Sequence, residues 1–163
     1  MNREQAAALL QGPAAQKNNR IRLTPGKYLA SLKELKFLDG SGHSSIVGPA
    51  FTFVVDDAPE DGSPVGSEFG SLCQLNPTGK NAALRIDYAK ADCDAIMFAL
   101  SAGLPDDAEF SYDNPEEDRG LLISDTEAVA KALVGTQVRV TVVETDKPNP
   151  EGGFYTRMSF SAA

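Results

Sequence analysis

The end of the chain has the clearest alternation of apolar and polar positions. Apolar and polar residues alternate strictly over residues 137–142, and the alternation returns over residues 154–160 after a turn-rich stretch, 146–153. A period of two predicts strands with one buried face. These residues therefore predict a β-hairpin with an apolar inner face and a polar outer face. The outer face carries Arg139, Tyr155 and Arg157.

Three earlier segments, residues 27–38, 45–56 and 65–75, are rich in β-branched and aromatic residues and predict three more strands. The first alternates imperfectly, because its apolar residues fall in two phases. One phase holds Leu29, Leu35 and Phe37, and the other holds Tyr28, Ala30 and Leu32. A strand that curls around a barrel and contributes to two faces has such a pattern.

Helical spacing predicts one long helix over residues 81–102, ended by Gly103 and Pro105. Its apolar face comprises Leu84, Tyr88, Ala91, Ala95, Phe98 and Ala102, with Ile96 and Leu100 beside them, and its solvent face comprises Arg85, Asp87, Lys90 and Asp94. Shorter helices are predicted over residues 2–11 and 126–133. Five strands with a helix between the third and fourth predict a mainly β fold: an OB-fold-like antiparallel barrel, closed by the C-terminal hairpin. A small antiparallel sandwich with a helix is the structural alternative.

The predicted organisation is an N-terminal helix and basic arm, residues 1–24, followed by an OB-like barrel domain, residues 25–163, with an acidic loop at 105–119.

The 163 residues carry a net charge of −8, which by itself disfavours a nucleic-acid partner. The charge is unevenly distributed, however, because residues 1–36 hold seven basic and two acidic groups. Residues 106–118 hold seven acidic groups and no basic one, which predicts an exposed loop. Phe110 and Tyr112 in that loop offer apolar surface to a protein partner.

The residue types that carry common chemistry do not form a recognisable motif. His43, the only histidine, lies in a predicted turn, and Cys73 and Cys93 are not in a CxxC arrangement. We expect the two cysteines to be buried, reduced thiols. The acidic turn 56–61 lacks the spacing of an EF-hand loop. Residues 76–80 lack the first glycine and the Ser/Thr of a phosphate-binding loop. We therefore expect no catalytic residues, no metal and no cofactor.

Single-stranded nucleic acid is held by a basic groove with aromatic rings on which bases stack. The first strand and the last hairpin both combine such residues. The candidate nucleic-acid-binding residues are Lys27, Tyr28, Lys33, Lys36, Arg139, Tyr155 and Arg157, with the cations on phosphates and the two tyrosines on bases. Phe37, in the first strand, is better explained as a core residue.

The layout also resembles a known family. The pattern consists of Pro25-Gly26-Lys27-Tyr28 opening a strand, Phe51-Thr-Phe53-Val, Gly66 before a third strand, a helix ending near Gly103, Leu133-Val-Gly135-Thr-Gln-Val138, and Gly153-Phe-Tyr155-Thr. Over residues 24–161 it is similar to bacteriophage single-stranded DNA-binding proteins of the OB-fold type. The resemblance implies sequence-independent binding of single-stranded DNA in phage replication or recombination, without a cofactor.

Two other functions stay open from the sequence. A protein-interaction module, such as a virion component or a regulator, is favoured by the acidic total and by residues 1–24, which can dock on a neighbouring subunit. A metal-dependent hydrolase at the acidic turns is a weaker hypothesis. We expect a homo-oligomer, a dimer or larger. Since no segment has the composition of a membrane span or a signal peptide, we expect a cytoplasmic protein, in the host cell if it is phage-encoded.

Overall fold

Five antiparallel strands form a single sheet. The computed structural model describes residues 1–11, 21–42 and 44–163. Its strands are β1 (Gly26–Asp39), β2 (Val47–Asp57), β3 (Glu68–Leu72), β4 (Gln137–Pro148) and β5 (Phe154–Ala162). They are arranged in the order β3-β2-β1-β4-β5, with β1 at the centre. This order is that of an OB-type barrel, so the predicted mainly β fold with a helical insertion is confirmed.

Five helices accompany the sheet. They are α1 (Arg3–Leu10), α2 (Ala82–Ala102), α3 (Pro115–Asp118), α4 (Leu121–Ser124) and α5 (Thr126–Leu133). The sequence predicted α1, α2 and α5, whereas the single turn α3 replaces part of the predicted acidic loop and the single turn α4, which follows it, was not predicted. Asn2 and Gln5 form a capping box at the start of α1, but none of the α1 residues is buried. No helix in the described part of the chain is long and apolar enough to cross a membrane.

A bulge explains the two apolar phases of β1. Leu32 pairs with Phe53 and Glu34 pairs with Thr52, so Lys33 is an extra residue between them. An extra residue in one strand reverses which face the following side chains occupy. The inward series Tyr28, Ala30, Leu32 therefore continues at Leu35. The sequence indicated a strand with two phases, and the bulge is its structural cause.

The sheet curls until the inner faces of β2 and β5 meet. The ring of Phe53 lies 5.3 Å from that of Phe160 and 5.4 Å from that of Phe69, between ring centroids. Among the residues that the structure describes, however, no ladder joins β3 to β5. The prediction that the hairpin closes the barrel is therefore wrong. β3 is only five residues long, and the amide of Ile21 donates to the carbonyl of Glu68 (2.8 Å), so the N-terminal segment occupies part of the edge that β5 would need.

The orientation of α2 also differs from the prediction. The helix buries Cys93, Ile96, Met97 and Leu100 against the sheet. Leu84, Tyr88 and Phe98, which the sequence assigned to the apolar face, are exposed. Both faces of the helix are apolar, and apolar spacing does not indicate which of two such faces packs on the core.

The acidic segment 106–118 is not simply an exposed loop. Tyr112 is buried, its ring packs edge-on against Phe98 at 5.4 Å, and its hydroxyl donates to Asp94 Oδ1 at 2.6 Å. Arg119 donates to both oxygens of the same carboxylate, at 2.8 and 3.0 Å. Phe110 is half-buried against the core. The aromatic side chains that were expected to bind a partner are therefore used within the domain.

Candidate nucleic-acid interface

The outer face of strands β1, β4 and β5 brings together cations that are distant in the sequence. Lys27 pairs with Thr141, Leu29 with Arg139, and Val143 with Arg157. Because alternate residues of a strand share a face, these side chains lie opposite the buried series Tyr28, Val138, Val140 and Val142. We call Lys27, Arg139, Thr141, Arg157 and Ser159 the β4–β5 outer face. Its three cations are all exposed.

The cations of this face have no acidic partner among the residues that the structure describes: the ion pairs found there involve other side chains. Arg157 lies opposite Val143, four residues along β4 from Arg139, which separates the two arginines by about 14 Å along the strands. Acidic groups border the face on the β2 side, where Asp56 accepts hydrogen bonds from Ser31 and from Gln137 Nε2 (3.1 Å). The free positive charge is therefore concentrated on the β4–β5 side of the sheet.

Tyr155 provides an accessible aromatic ring next to these cations. It is 37% exposed, and Lys147 Nζ lies 5.5 Å from its ring centroid. An ammonium group at this distance is attracted to the electron-rich ring face. Lys147 thus adds a fourth cation to this end of the hairpin, and the sequence analysis did not select it. The turn over residues 149–153 brings the facing ends of β4 and β5 together, and with them Lys147 and Tyr155. The register of the predicted hairpin is enough to expect this proximity.

The open seam between β3 and β5 forms a cleft beside Tyr155. Its volume is about 330 Å³. It is lined by Ile21, Arg22, Leu23, Phe69, Gly70, Tyr155, Thr156 and Met158. Arg22 is exposed on the wall opposite Tyr155 and is a second residue that sequence reasoning missed, because it precedes the predicted strand. A wider groove of about 760 Å³ continues along β5 to α2, with Arg157 on one side and Asp92 on the other.

Lys33 and Lys36 lie apart from this surface. Lys33 forms an ion pair with Glu68 on β3, and Lys36 forms one at 2.9 Å with Glu34 of its own strand. A cation that is already paired adds less to phosphate binding, because the carboxylate partly cancels its field. The structure thus separates the six exposed residues of the predicted seven into two groups, and only Lys27, Arg139, Tyr155 and Arg157 lie together.

Tyr28 does not form part of the surface, and the prediction that it stacks on bases is wrong. Its side chain is 2% exposed and belongs to the core. The hydroxyl donates to the carbonyl of Thr24 (2.8 Å) and accepts from the amide of Ser63 (3.0 Å). These bonds tie the start of β1 to the turn after β2.

Of the predicted N-terminal arm, residues 12–20 lie outside the described part of the chain, whereas Leu23 packs into the core.

The other candidate chemical groups give no site. Cys73 and Cys93 are buried and unbridged, as predicted. The pKa of the Cys93 thiol is raised, chiefly by its hydrogen bond with the Cys73 thiol and to a smaller extent by burial. His43 lies outside the described residues. Within residues 1–11, 21–42 and 44–163, no cluster of three or more histidine, cysteine or acidic residues could hold a metal ion.

No protein-family model matches the chain, and no curated protein matches it.

Proposed function

We propose that this protein binds single-stranded DNA without reading its sequence, and that the strand lies along the β4–β5 outer face with a base at the mouth of the β3–β5 cleft. Binding is the whole of the proposed function, with no catalytic step. The family resemblance extends the proposal to phage DNA replication or recombination in the cytoplasm of a host cell.

The observation that carries the proposal is the placement of Arg139, Arg157 and Tyr155 on one exposed surface beside an open cleft. A single strand needs cations that follow its backbone and rings that meet its bases. Lys27 extends the row of cations to β1, and Arg22 faces Tyr155 across the cleft. The net charge of −8 then keeps the rest of the surface unattractive to phosphate.

Fluorescence anisotropy with a labelled oligo-dT tests the proposal. If Lys27, Arg139 and Arg157 each displace counterions from one phosphate, log K falls with log salt at a slope of about −2. Affinity then drops about 20-fold between 50 and 200 mM salt. Arg157→Ala reduces the slope by about 0.7, whereas Lys131→Ala, an exposed cation on α5, leaves it unchanged. No binding at micromolar protein, or a slope near zero, contradicts the proposal.

Tyr155 separates stacking from general electrostatic attraction. Tyr155→Ala weakens binding by about 5- to 150-fold, because stacking on one base is worth about 1–3 kcal/mol. Tyr155→Phe keeps the ring and binds as the wild type does. Lys36→Ala changes affinity less than Arg157→Ala, since Lys36 is already paired with Glu34. If Lys36→Ala and Arg157→Ala lose equal affinity for oligo-dT, the DNA does not lie along the β4–β5 outer face.

A protein-interaction module is the second candidate, and one observation favours it. Leu9 and Leu10 on α1 are largely exposed, and no residue of that helix is buried. A helix of eight residues gains little stability on its own, so α1 requires packing that the rest of the described chain does not supply. Removal of residues 1–11 leaves oligo-dT affinity unchanged under the DNA-binding proposal and abolishes partner capture under this one.

A further inference from the structure

The side of α2 opposite its buried face carries an apolar stripe. Tyr88 is 60% exposed, Leu84 49% and Phe98 45%, and the exposed alanines 91 and 95 lie between them. Tyr88 and Ala95 border the groove beside β5, and one edge of the Phe98 ring contacts Tyr112. At about 100° per residue, the five side chains fall within about 80° of one another and opposite the buried Cys93. We call Leu84, Tyr88, Ala91, Ala95 and Phe98 the α2 seam. A helix with two apolar faces normally buries both.

The spacing of the α2 seam fits a helical partner. Its residues are separated by four, three, four and three positions, which is the 3.5-residue repeat of helices that pack side by side. Every apolar stripe along a helix has a similar spacing, so the choice of partner rests on the size and charge of the side chains in and beside the seam.

We propose that the α2 seam binds the α2 seam of a second copy of this chain, with the two helices antiparallel. In this register Leu84 lies against the partner's Ala95, and Tyr88 against the partner's Ala91. Leu84 and Tyr88 each meet an alanine, so the helices keep a constant separation over these layers, and Phe98 lies beyond them near the partner's Asn81. A parallel pair instead places Tyr88 against Tyr88 and Ala91 against Ala91, which forces the helices apart at one layer and leaves a gap at the next.

Charges beside the α2 seam favour the same orientation. Arg85 and Asp92 lie on one flank, and in an antiparallel pair like flanks meet, so Arg85 approaches the partner's Asp92 twice per dimer. Within the described residues Asp92 has no ion-pair partner, and burial raises its pKa. On the other flank, Asp87 approaches the partner's Asp94, whose charge Arg119 already balances. A parallel pair would bring Asp87 to the partner's Asp92, two unbalanced carboxylates.

The exposed area is sufficient for a weak dimer. Aromatic side chains bury about 150–250 Å² each when fully covered, and the exposed parts of the α2 seam in two copies amount to roughly 800 Å². That value lies below the size of a stable interface and in the range of weak, transient ones. We therefore expect a two-fold symmetric dimer that dissociates on dilution.

Sedimentation equilibrium over micromolar concentrations tests the proposal. The average mass of the wild type rises from that of one 17.3 kDa chain towards that of two. Tyr88→Glu weakens dimerisation by about 30-fold or more, the effect expected at the centre of an interface. Val65→Glu is the matched control, since Val65 is 63% exposed in the turn before β3 and outside the α2 seam. A monomer at every concentration, or a dimer unaffected by Tyr88→Glu, overturns the proposal.

Two further sets of variants test the orientation. Arg85→Asp and Asp92→Arg each weaken the dimer, and the double variant restores it, because each copy then again pairs opposite charges. A short bismaleimide linker joins two copies of the Leu84→Cys/Ala95→Cys variant but not of Leu84→Cys alone. The native thiols are buried and leave the wild type unlinked. Efficient linking of Leu84→Cys alone indicates a parallel pair and overturns the antiparallel arrangement.

Discussion

Replacement of Tyr112 by phenylalanine tests whether the acidic segment is anchored to α2. The change removes the hydroxyl that donates to Asp94 Oδ1 at 2.6 Å and keeps the ring that packs against Phe98. A hydrogen bond to a charged group contributes about 1.5–3 kcal/mol. Asp94 retains both bonds from Arg119, so we expect a loss at the lower end, about 1.5 kcal/mol.

Urea denaturation measures this loss. With a slope of about 2 kcal/mol per molar urea, the midpoint of Tyr112→Phe falls by about 0.7 M at an unchanged slope. The control is Tyr155→Phe, which removes an exposed hydroxyl and changes the free energy of unfolding by less than about 0.5 kcal/mol. Equal midpoints for Tyr112→Phe and the wild type would show that the segment around residue 112 is held by apolar contacts alone, and would refute the reasoning.

Three other predictions follow from the described contacts. Asp94→Asn destabilises the protein at pH 7: burial alone would raise the pKa of Asp94, but its hydrogen bonds and the nearby guanidinium lower it. That stabilisation is present above the unfolded pKa of about 3.9 and is lost as the pH falls through the folded pKa, so the urea midpoints of variant and wild type approach each other as the pH falls below about 3.9. Gly48→Ala costs at least about 3 kcal/mol in the same assay or prevents folding, because the new Cβ would lie 1.9 Å from the carbonyl oxygen of Cys73. Tyr28→Phe lowers the free energy of unfolding by about 1–3 kcal/mol, measured likewise, because the amide of Ser63 loses its acceptor.

Local patterns predicted the strands and helices well, since each depends on near neighbours in the chain. The helix at Thr126–Leu133 and the hairpin formed by β4 and β5 illustrate this. Contacts between distant segments were harder to predict. The bulge at Lys33 is invisible in the sequence, yet it moves the inward series from Leu32 to Leu35. The ion pair of Lys33 with Glu68 likewise joins segments that lie 35 residues apart.

Two kinds of candidate residue show why the site was only partly predictable. Tyr28 follows Lys27 in the sequence and Tyr155 lies two residues before Arg157, but Tyr28 belongs to the inward phase of a central strand and Tyr155 to the outer face of an edge strand. Tyr112 lies among acidic residues, which predict exposure, and its burial depends on Asp94 and Arg119 from other segments. Composition gave no indication of that cluster.

The pairing of the central strand with β4 has a consequence for synthesis of the protein. β1 can pair with β2 and β3 as soon as these emerge from the ribosome, but its other edge waits for residues 137–142. At about 5–20 residues per second, the interval between β3 and β4 lasts about 3 to 13 seconds. An unpaired strand edge is a template for association with other chains. The nascent chain is therefore most vulnerable to aggregation while α2 is being made, and a chaperone that covers β1 during that interval would raise the yield of folded protein.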